Sequence, residues 1–134
     1  MFVSPRGGQP MEPRPQLQAR ENCGFEGDAH ARPDGARQVL LLDAETLAEF
    51  GIEPGALKEN ITTEGVNLAA LAPGTRLRVG VALLEITKEC APCESVEAIR
   101  PGLLEKLKGR RGQLARVLEG GPVQVGDRIE VLAD

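Results

Sequence analysis

The chain has 134 residues, which is enough for one domain and too few for a second substantial core. Its net charge of -4 and its aromatic content of 2% exclude the basic surface and the stacking rings of a nucleic-acid-binding protein, and they disfavour an anionic membrane as a partner. No apolar run approaches the roughly 20 residues that cross a bilayer, and residues 1–16 lack a signal-like apolar stretch, so we expect a cytoplasmic protein.

The amino-acid composition changes at residue 39, from a segment rich in proline and glycine to an apolar run. Residues 4–38 are rich in proline and glycine, which predicts a loop-rich segment preceded by one short strand near residues 2–4. The continuous apolar run 39–42 predicts a strand buried on both faces. Asp43 is then expected to cap a helix over residues 44–50, which stops at Gly51.

The rest of the chain has a β pattern interrupted by short helical segments. Alternation shifts at Leu83–Leu84, which indicates a bulge or burial on both sides. Short helices are expected over 96–100 and from Pro101 to Gly109. The predicted strands cover residues 60–63, 76–79, 81–87, 114–118, 123–125 and 129–132, with a turn at Gly126–Asp127. Many short strands with few helices predict a mainly β fold, a β-barrel in a single domain over 1–134.

Two of the three cysteines form the C-x-P-C pair Cys90 and Cys93, between a predicted strand and a predicted helix. The start of a helix favours a thiolate, which makes Cys93 the first candidate for a reactive residue. The carboxylates of Glu89 and Glu94 oppose the thiolate. Activation therefore depends on the helix start or on arginines that the fold brings near.

Four interpretations of this pair remain open: a redox couple, half of a zinc site, a sulfur or molybdenum ligand, and two packed thiols. A thioredoxin-type couple is disfavoured because the surrounding pattern is antiparallel rather than βαβ. A zinc site needs four ligands, and the further soft donors are Cys23 and His30 in one loop. The spacing alone does not choose among the remaining three.

Two other groups of residues are candidate ligand contacts. Gly27, Asp28 and His30 belong to a glycine-rich acidic loop that can line a pocket, or that forms a tight turn in which Asp28 caps local N–H groups. The basic residues Arg110, Arg111 and Arg116 stand near Gly112 and suit an anion such as phosphate, although solvated surface arginines are the commoner outcome.

Six motifs follow one another along the chain after a loop-rich segment over 1–23. They are G-F-E-G-D-A-H at 24–30, K-E-N-I-T-T-E-G-V-N-L at 58–68, P-G-T-R-L-R-V-G at 73–80, the C-x-P-C, G-R-R-G-Q-L-A-R-V-L-E-G-G at 109–121, and V-G-D at 125–127. In this order they resemble the MOSC domain, named after the C-terminal region of molybdenum cofactor sulfurases. The resemblance runs from about Gly24 to the end of the chain.

The resemblance implies a barrel like that of the pyruvate kinase β-barrel domain. It also implies that Cys93 carries sulfur as a persulfide, or contacts or ligates the metal of a molybdenum cofactor (molybdopterin), with Cys90 beside it. Asn60, in the second motif, joins the loop and arginine candidates as a cofactor contact. Some relatives carry a cysteine at the position of Arg111, and its absence here argues against molybdenum ligation there.

The function implied is a sulfur-carrier or cofactor-binding module that acts with a cysteine desulfurase or a molybdoenzyme as partner. Pyridoxal phosphate would then belong to the partner, because no lysine here has a recognisable Schiff-base setting. The alternatives are a component of a molybdenum-dependent reductase of N-hydroxylated substrates, and a structural zinc-binding domain.

Overall fold

The computed structural model describes residues 1–3, 11–29, 31–90 and 98–132. The elements within those ranges are short strands and two helices. They are β1 (Phe2–Val3), β2 (Glu12–Pro13), β3 (Gln16–Arg20), β4 (Gly24–Phe25), β5 (Val39–Asp43), α1 (Ala44–Phe50), β6 (Ile61–Thr63), a 3-10 turn (Leu68–Ala70), β7 (Arg76–Val79), β8 (Ala82–Glu89), α2 (Leu103–Lys106), β9 (Gln113–Glu119), β10 (Gly121–Gln124) and β11 (Ile129–Leu132).

A curled six-stranded sheet forms the body of the molecule, in the order β11-β7-β8-β9-β5-β6. Its pairs are antiparallel except for β5 and β6, which run parallel. A smaller sheet has the order β10-β3-β4, and β1 pairs with β2. The predicted mainly β, barrel-type fold is therefore confirmed. Neither described helix is long and apolar enough to span a membrane.

Strand β5 separates two layers of the core, which explains its continuous apolar sequence. Side chains alternate between the faces of a strand. Val39 and Leu41 pack into the main core inside the curled sheet. Leu42 packs instead with Leu47 and Leu103 from the helices that cover the outer face. The predicted burial on both faces is confirmed.

Local signals placed α1 and the bulge of β8 correctly. Asp43 caps α1, since its carboxylate accepts a hydrogen bond from the Thr46 N–H at 3.0 Å. The helix ends at Gly51, whose φ of 63° is left-handed. The register of β8 against β9 shifts between Leu83 and Leu84, as the change in alternation predicted.

Three expectations differ from the structure. The proline-rich segment contains β3, whose buried Leu17 and Ala19 alternate with exposed residues, and which pairs with β10. Residues 98–100 form a turn, not the helix predicted over 96–100, of which 96 and 97 lie outside the described residues. The helix expected from Pro101 begins only at Leu103, because the positive φ of Gly102 interrupts the chain just before it.

Candidate functional site

The segment that begins the C-x-P-C pair is tied to the strand that follows the two arginines. The Cys90 N–H donates to the Gly112 carbonyl at 2.9 Å, which continues the pairing of β8 with β9. The Cys90 side chain is 5% exposed and packs with Leu40 and Leu114. Cys90 is thus a buried residue that anchors the segment. Cys93 lies outside the described residues, as does His30.

Gly112 lets two strands approach each other closely at this point. Its φ is +110°, a conformation that L side chains rarely adopt. A Cβ at this position would overlap the Leu41 carbonyl oxygen and lie 3.3 Å from Leu40 Cδ1. Because glycine has no side chain, the backbone can lie close enough for the Gly112 carbonyl to accept the hydrogen bond from Cys90.

A small cavity of about 110 Å³ lies beside Gly112. Its polar lining comes from Asp43 and Thr46 at the start of α1, from Asn67 before the 3-10 turn, and from Arg110 and Gln113. Gln113 is 4% exposed and its Nε2 donates to the Leu68 carbonyl at 3.0 Å. Its Oε1 is buried and accepts no hydrogen bond from the described residues, which leaves one acceptor available at the cavity.

Arg110 is held at the mouth of this cavity by contacts with α1. Its guanidinium forms an ion pair with Glu49 and stacks 5.1 Å from the centre of the Phe50 ring. Its Nη2 also donates to Thr46 Oγ1 at 3.4 Å. These contacts orient a cation at the cavity and leave its side chain partly exposed.

Arg111 is buried, in contrast to its neighbour. It is 5% exposed, and its Nη2 donates to the Leu57 carbonyl. Its Nε and Nη1 are also buried and have no hydrogen-bond partner within the described part of the chain. A buried guanidinium with unused donors is unfavourable unless water or a ligand accepts their hydrogen bonds. Arg111 therefore places a buried positive charge and unused donors near the Leu57 carbonyl.

Asp28 and Asn60 are joined in a buried network between the N-terminus and β5. Asn60 Oδ1 accepts from the Leu40 N–H at 2.9 Å, and its Nδ2 donates to the Phe2 carbonyl and to Asp28 Oδ2, each at 3.2 Å. Both residues are buried. Gly27, with a φ of +82° and open space beside it, lines a different cavity. In the structure these contacts join chain segments to one another.

Glu59 is a buried carboxylate that the sequence reasoning missed. It is fully buried, and its Oε2 accepts from the Gly55 N–H at 2.9 Å and from Thr62 Oγ1 at 3.1 Å. Its Oε1 has no hydrogen-bond partner among the residues that the structure describes. Burial lowers the pKa of the Met1 amine, and the charge of Glu59 opposes that shift.

Arg116 does not join Arg110 and Arg111. It lies on the outer face of β9, where its guanidinium donates to Glu85 Oε1 at 2.6 Å and 3.0 Å across the sheet. Gln113, three residues earlier, faces the opposite side of the strand. Of the three candidate arginines, Arg110 and Arg111 directly precede the Gly112 whose carbonyl bonds to Cys90, and Arg116 lies apart from them.

The cavity residues that sequence reasoning missed are Asp43, Thr46, Asn67 and Gln113. Gln113 directly follows Arg110–Gly112, and Asn67 is the penultimate residue of the K-E-N-I-T-T-E-G-V-N-L motif. Both motifs were visible in the sequence, but it did not show that these residues line one cavity. Within the described ranges no three His, Cys, Asp or Glu side chains are grouped as metal ligands.

Comparison with known proteins gives one family and several similar folds. The MOSC domain model matches residues 28–130. YuaD from Bacillus subtilis superposes with a TM-score of 0.81 and 21% identity, over 97% of this chain and 91% of that one. YiiM from Escherichia coli superposes with a TM-score of 0.71 and 21% identity, over 95% of this chain and 66% of that one. For YiiM from Geobacillus stearothermophilus the TM-score is 0.64 and the identity 21%, over 73% of this chain and 55% of that one.

No curated protein sequence matches the chain significantly. At these identities the solved structures establish the fold alone. The family model, in contrast, covers most of the sequence and includes the C-x-P-C pair and the R-R-G-Q turn. The chain therefore belongs to the MOSC domain family.

Proposed function

We propose that this MOSC domain is a sulfur carrier, in which Cys93 receives sulfur from a partner protein and holds it as a persulfide. The observation that supports this most directly is the hydrogen bond from Cys90 to Gly112, which ties the thiol-bearing segment to the turn that carries Arg110 and Arg111. Cys93 is three residues from this tie, and three residues span at most about 11 Å.

The transfer needs no external oxidant. The Cys93 thiolate attacks the terminal sulfur of a persulfide on the donor. A sulfur–sulfur bond forms on Cys93 as the sulfur–sulfur bond of the donor breaks, and the donor leaves as a thiolate. The electron pair of the broken bond stays on the donor thiolate, and one sulfur atom moves to Cys93. The donor we propose is a cysteine desulfurase, whose own pyridoxal phosphate releases sulfur from cysteine.

The two arginines favour the anionic forms that this chemistry requires. A guanidinium near a thiol stabilises the thiolate, and it stabilises a persulfide anion in the same way. Arg110 is anchored to α1, so its charge is preorganised. The donors of Arg111 that no described residue uses are available to an anion or to water.

The cavity beside Gly112 is too small for a whole pterin cofactor. Its volume is about 110 Å³, whereas pockets for complete small-molecule ligands usually measure about 300–1,000 Å³. One sulfur atom or one oxyanion fits such a space. We therefore derive no step through a molybdenum cofactor at this cavity, and we propose the carrier ahead of the molybdenum-binding and reductase alternatives.

Intact mass spectrometry tests the carrier. The protein is incubated with a cysteine desulfurase and cysteine, and the expected product has gained one sulfur atom that a thiol reductant removes. Cys93→Ser should abolish the gain, while Cys90→Ser and Cys23→Ser should retain it. A gain that survives in Cys93→Ser would contradict the proposal.

Metal analysis of the purified protein separates the alternatives. Molybdenum together with pterin fluorescence would support the cofactor-binding module or the reductase component. Stoichiometric zinc that is lost in both Cys90→Ser and Cys93→Ser would support the structural zinc domain. The carrier predicts that sulfur loading of the wild type requires neither metal.

A further inference from the structure

We infer that a second cavity, formed by the loop before β5 and the end of β8, binds a small molecule through a phosphate or a comparable dianion. The inference goes beyond the sulfur carrier and does not depend on it. The cavity measures about 380 Å³, a size typical of pockets for small ligands. It is called the cationic cavity below.

The lining of the cationic cavity is basic and otherwise small. Arg32, Arg37 and Lys88 contribute three positive charges, and the remaining lining residues are Ala29, Gly35 and Ala36. Within the described ranges, no carboxylate lines it. Such a concentration of cations stands out in a chain whose net charge is -4. A site of this composition attracts a multiply charged anion.

The neighbouring acidic side chains point elsewhere. Asp34, in the same loop, accepts a hydrogen bond from Asn22 Nδ2 at 2.6 Å, and both line another cavity. Glu89, next to Lys88, directs its Oε1 toward Gly109, where a Cβ would lie 3.8 Å away. The sequence neighbours thus leave the positive charges of the cationic cavity without local neutralisation.

The charged groups of the three cations are available for a ligand. Among the described residues, no ion pair or side-chain hydrogen bond involves the charged groups of Arg32, Arg37 or Lys88. Other arginines of the outer surface behave differently, since Arg78 pairs with Glu119 at 3.2 Å and Arg116 with Glu85 at 2.6 Å. The cationic cavity therefore has donors that a bound anion can use.

The backbone of the loop that carries Arg32 and Arg37 is held in place. The Arg32 N–H donates to the Cys23 carbonyl at 2.9 Å, and the Arg32 carbonyl accepts from the buried Gln38 at 3.1 Å. Thr87 Oγ1 donates to the Ala36 carbonyl, which fastens the loop to β8 beside Lys88. A fixed loop lowers the entropic cost of binding.

A compact dianion matches this arrangement better than an acidic peptide or a nucleic acid. A guanidinium group can donate two parallel hydrogen bonds to one phosphate. Three cations around one concave space can contact a single phosphate group together. An acidic peptide needs a row of cations along an open surface. Nucleic acid would gain from aromatic stacking, and the described lining contains no aromatic side chain.

Titration with inorganic phosphate, followed by amide chemical shifts at constant ionic strength, tests the inference. Saturable shifts are expected at Gly35, Ala36 and Lys88. Arg37→Ala and Lys88→Ala should each weaken phosphate binding at least about fivefold, because each removes one charge-assisted contact. Exposed Lys106→Ala, outside the cavity, serves as the matched control and should not change the affinity.

Further probes identify the source of the dianion and can overturn the inference. Tighter binding of glycerol 3-phosphate than of phosphate indicates a phosphate ester, and equal binding indicates free phosphate. Tighter binding of hexaglutamate than of either would overturn the inference in favour of an acidic protein. Shifts confined to Arg110–Gln113, or no saturable shifts, would also overturn it. Sulfur loading of Cys93 is measured separately, so either proposal can fail alone.

Discussion

Replacing Gly112 with alanine should destabilise the protein and detach the thiol-bearing segment. A side chain at a φ of +110° is strained by roughly 1–3 kcal/mol. The new Cβ would also overlap the Leu41 carbonyl and approach Leu40 Cδ1 to 3.3 Å, and forced overpacking costs a further ~1–3 kcal/mol. We expect the free energy of unfolding to fall by about 2–6 kcal/mol.

Gly126→Ala is the matched control, because it separates strain from overlap. Gly126 has a φ of +94°, but no described atom lies within 4 Å of the place that a Cβ would take. It should therefore lose only the strain component, about 1–3 kcal/mol. Urea denaturation of both variants, at an unchanged m-value, measures the difference. Gly112→Ala that is no less stable than Gly126→Ala would refute the reasoning.

The same pair of variants links this contact to sulfur transfer. Because the Gly112 carbonyl accepts from Cys90, displacing it should loosen the C-x-P-C segment. Folded Gly112→Ala should load less sulfur on Cys93 than the wild type, while Gly126→Ala loads normally. Equal loading of the two variants would show that this hydrogen bond does not position the thiol.

Three further substitutions test individual side chains. Arg111→Met loses the hydrogen bond to the Leu57 carbonyl, but it removes two buried donors that no described residue uses. The free energy of unfolding should therefore change by less than about 1 kcal/mol, while sulfur loading should fall. Normal loading would argue against a role of Arg111. Asn60→Ala breaks buried hydrogen bonds and should cost about 2–4 kcal/mol without affecting loading of the folded protein, and an unchanged urea midpoint would contradict this. Arg116→Ala loses only a pair with Glu85 at the surface, so we expect about 0–1 kcal/mol in denaturation and unchanged loading by mass.

Local signals predicted much of the fold. The apolar run of β5, the Asp43 cap and the change of alternation in β8 each depend on residues close together in the chain, and each was confirmed. Strand β3 was missed because the prolines before it outweighed a short alternating pattern. Its pairing with β10 joins segments about a hundred residues apart, which local patterns do not specify.

The amino-acid sequence by itself was sufficient to establish the family, the mainly β class and the C-x-P-C pair, because these depend on residue types in a fixed order. Tertiary structure decided which candidates meet. It placed Arg110 at the cavity beside Gly112, buried Arg111 and moved Arg116 to the outer face. It also gathered Arg32, Arg37 and Lys88 around one cavity. Such convergence follows from strand register and from the direction of each side chain, and it is set only when distant segments pack together.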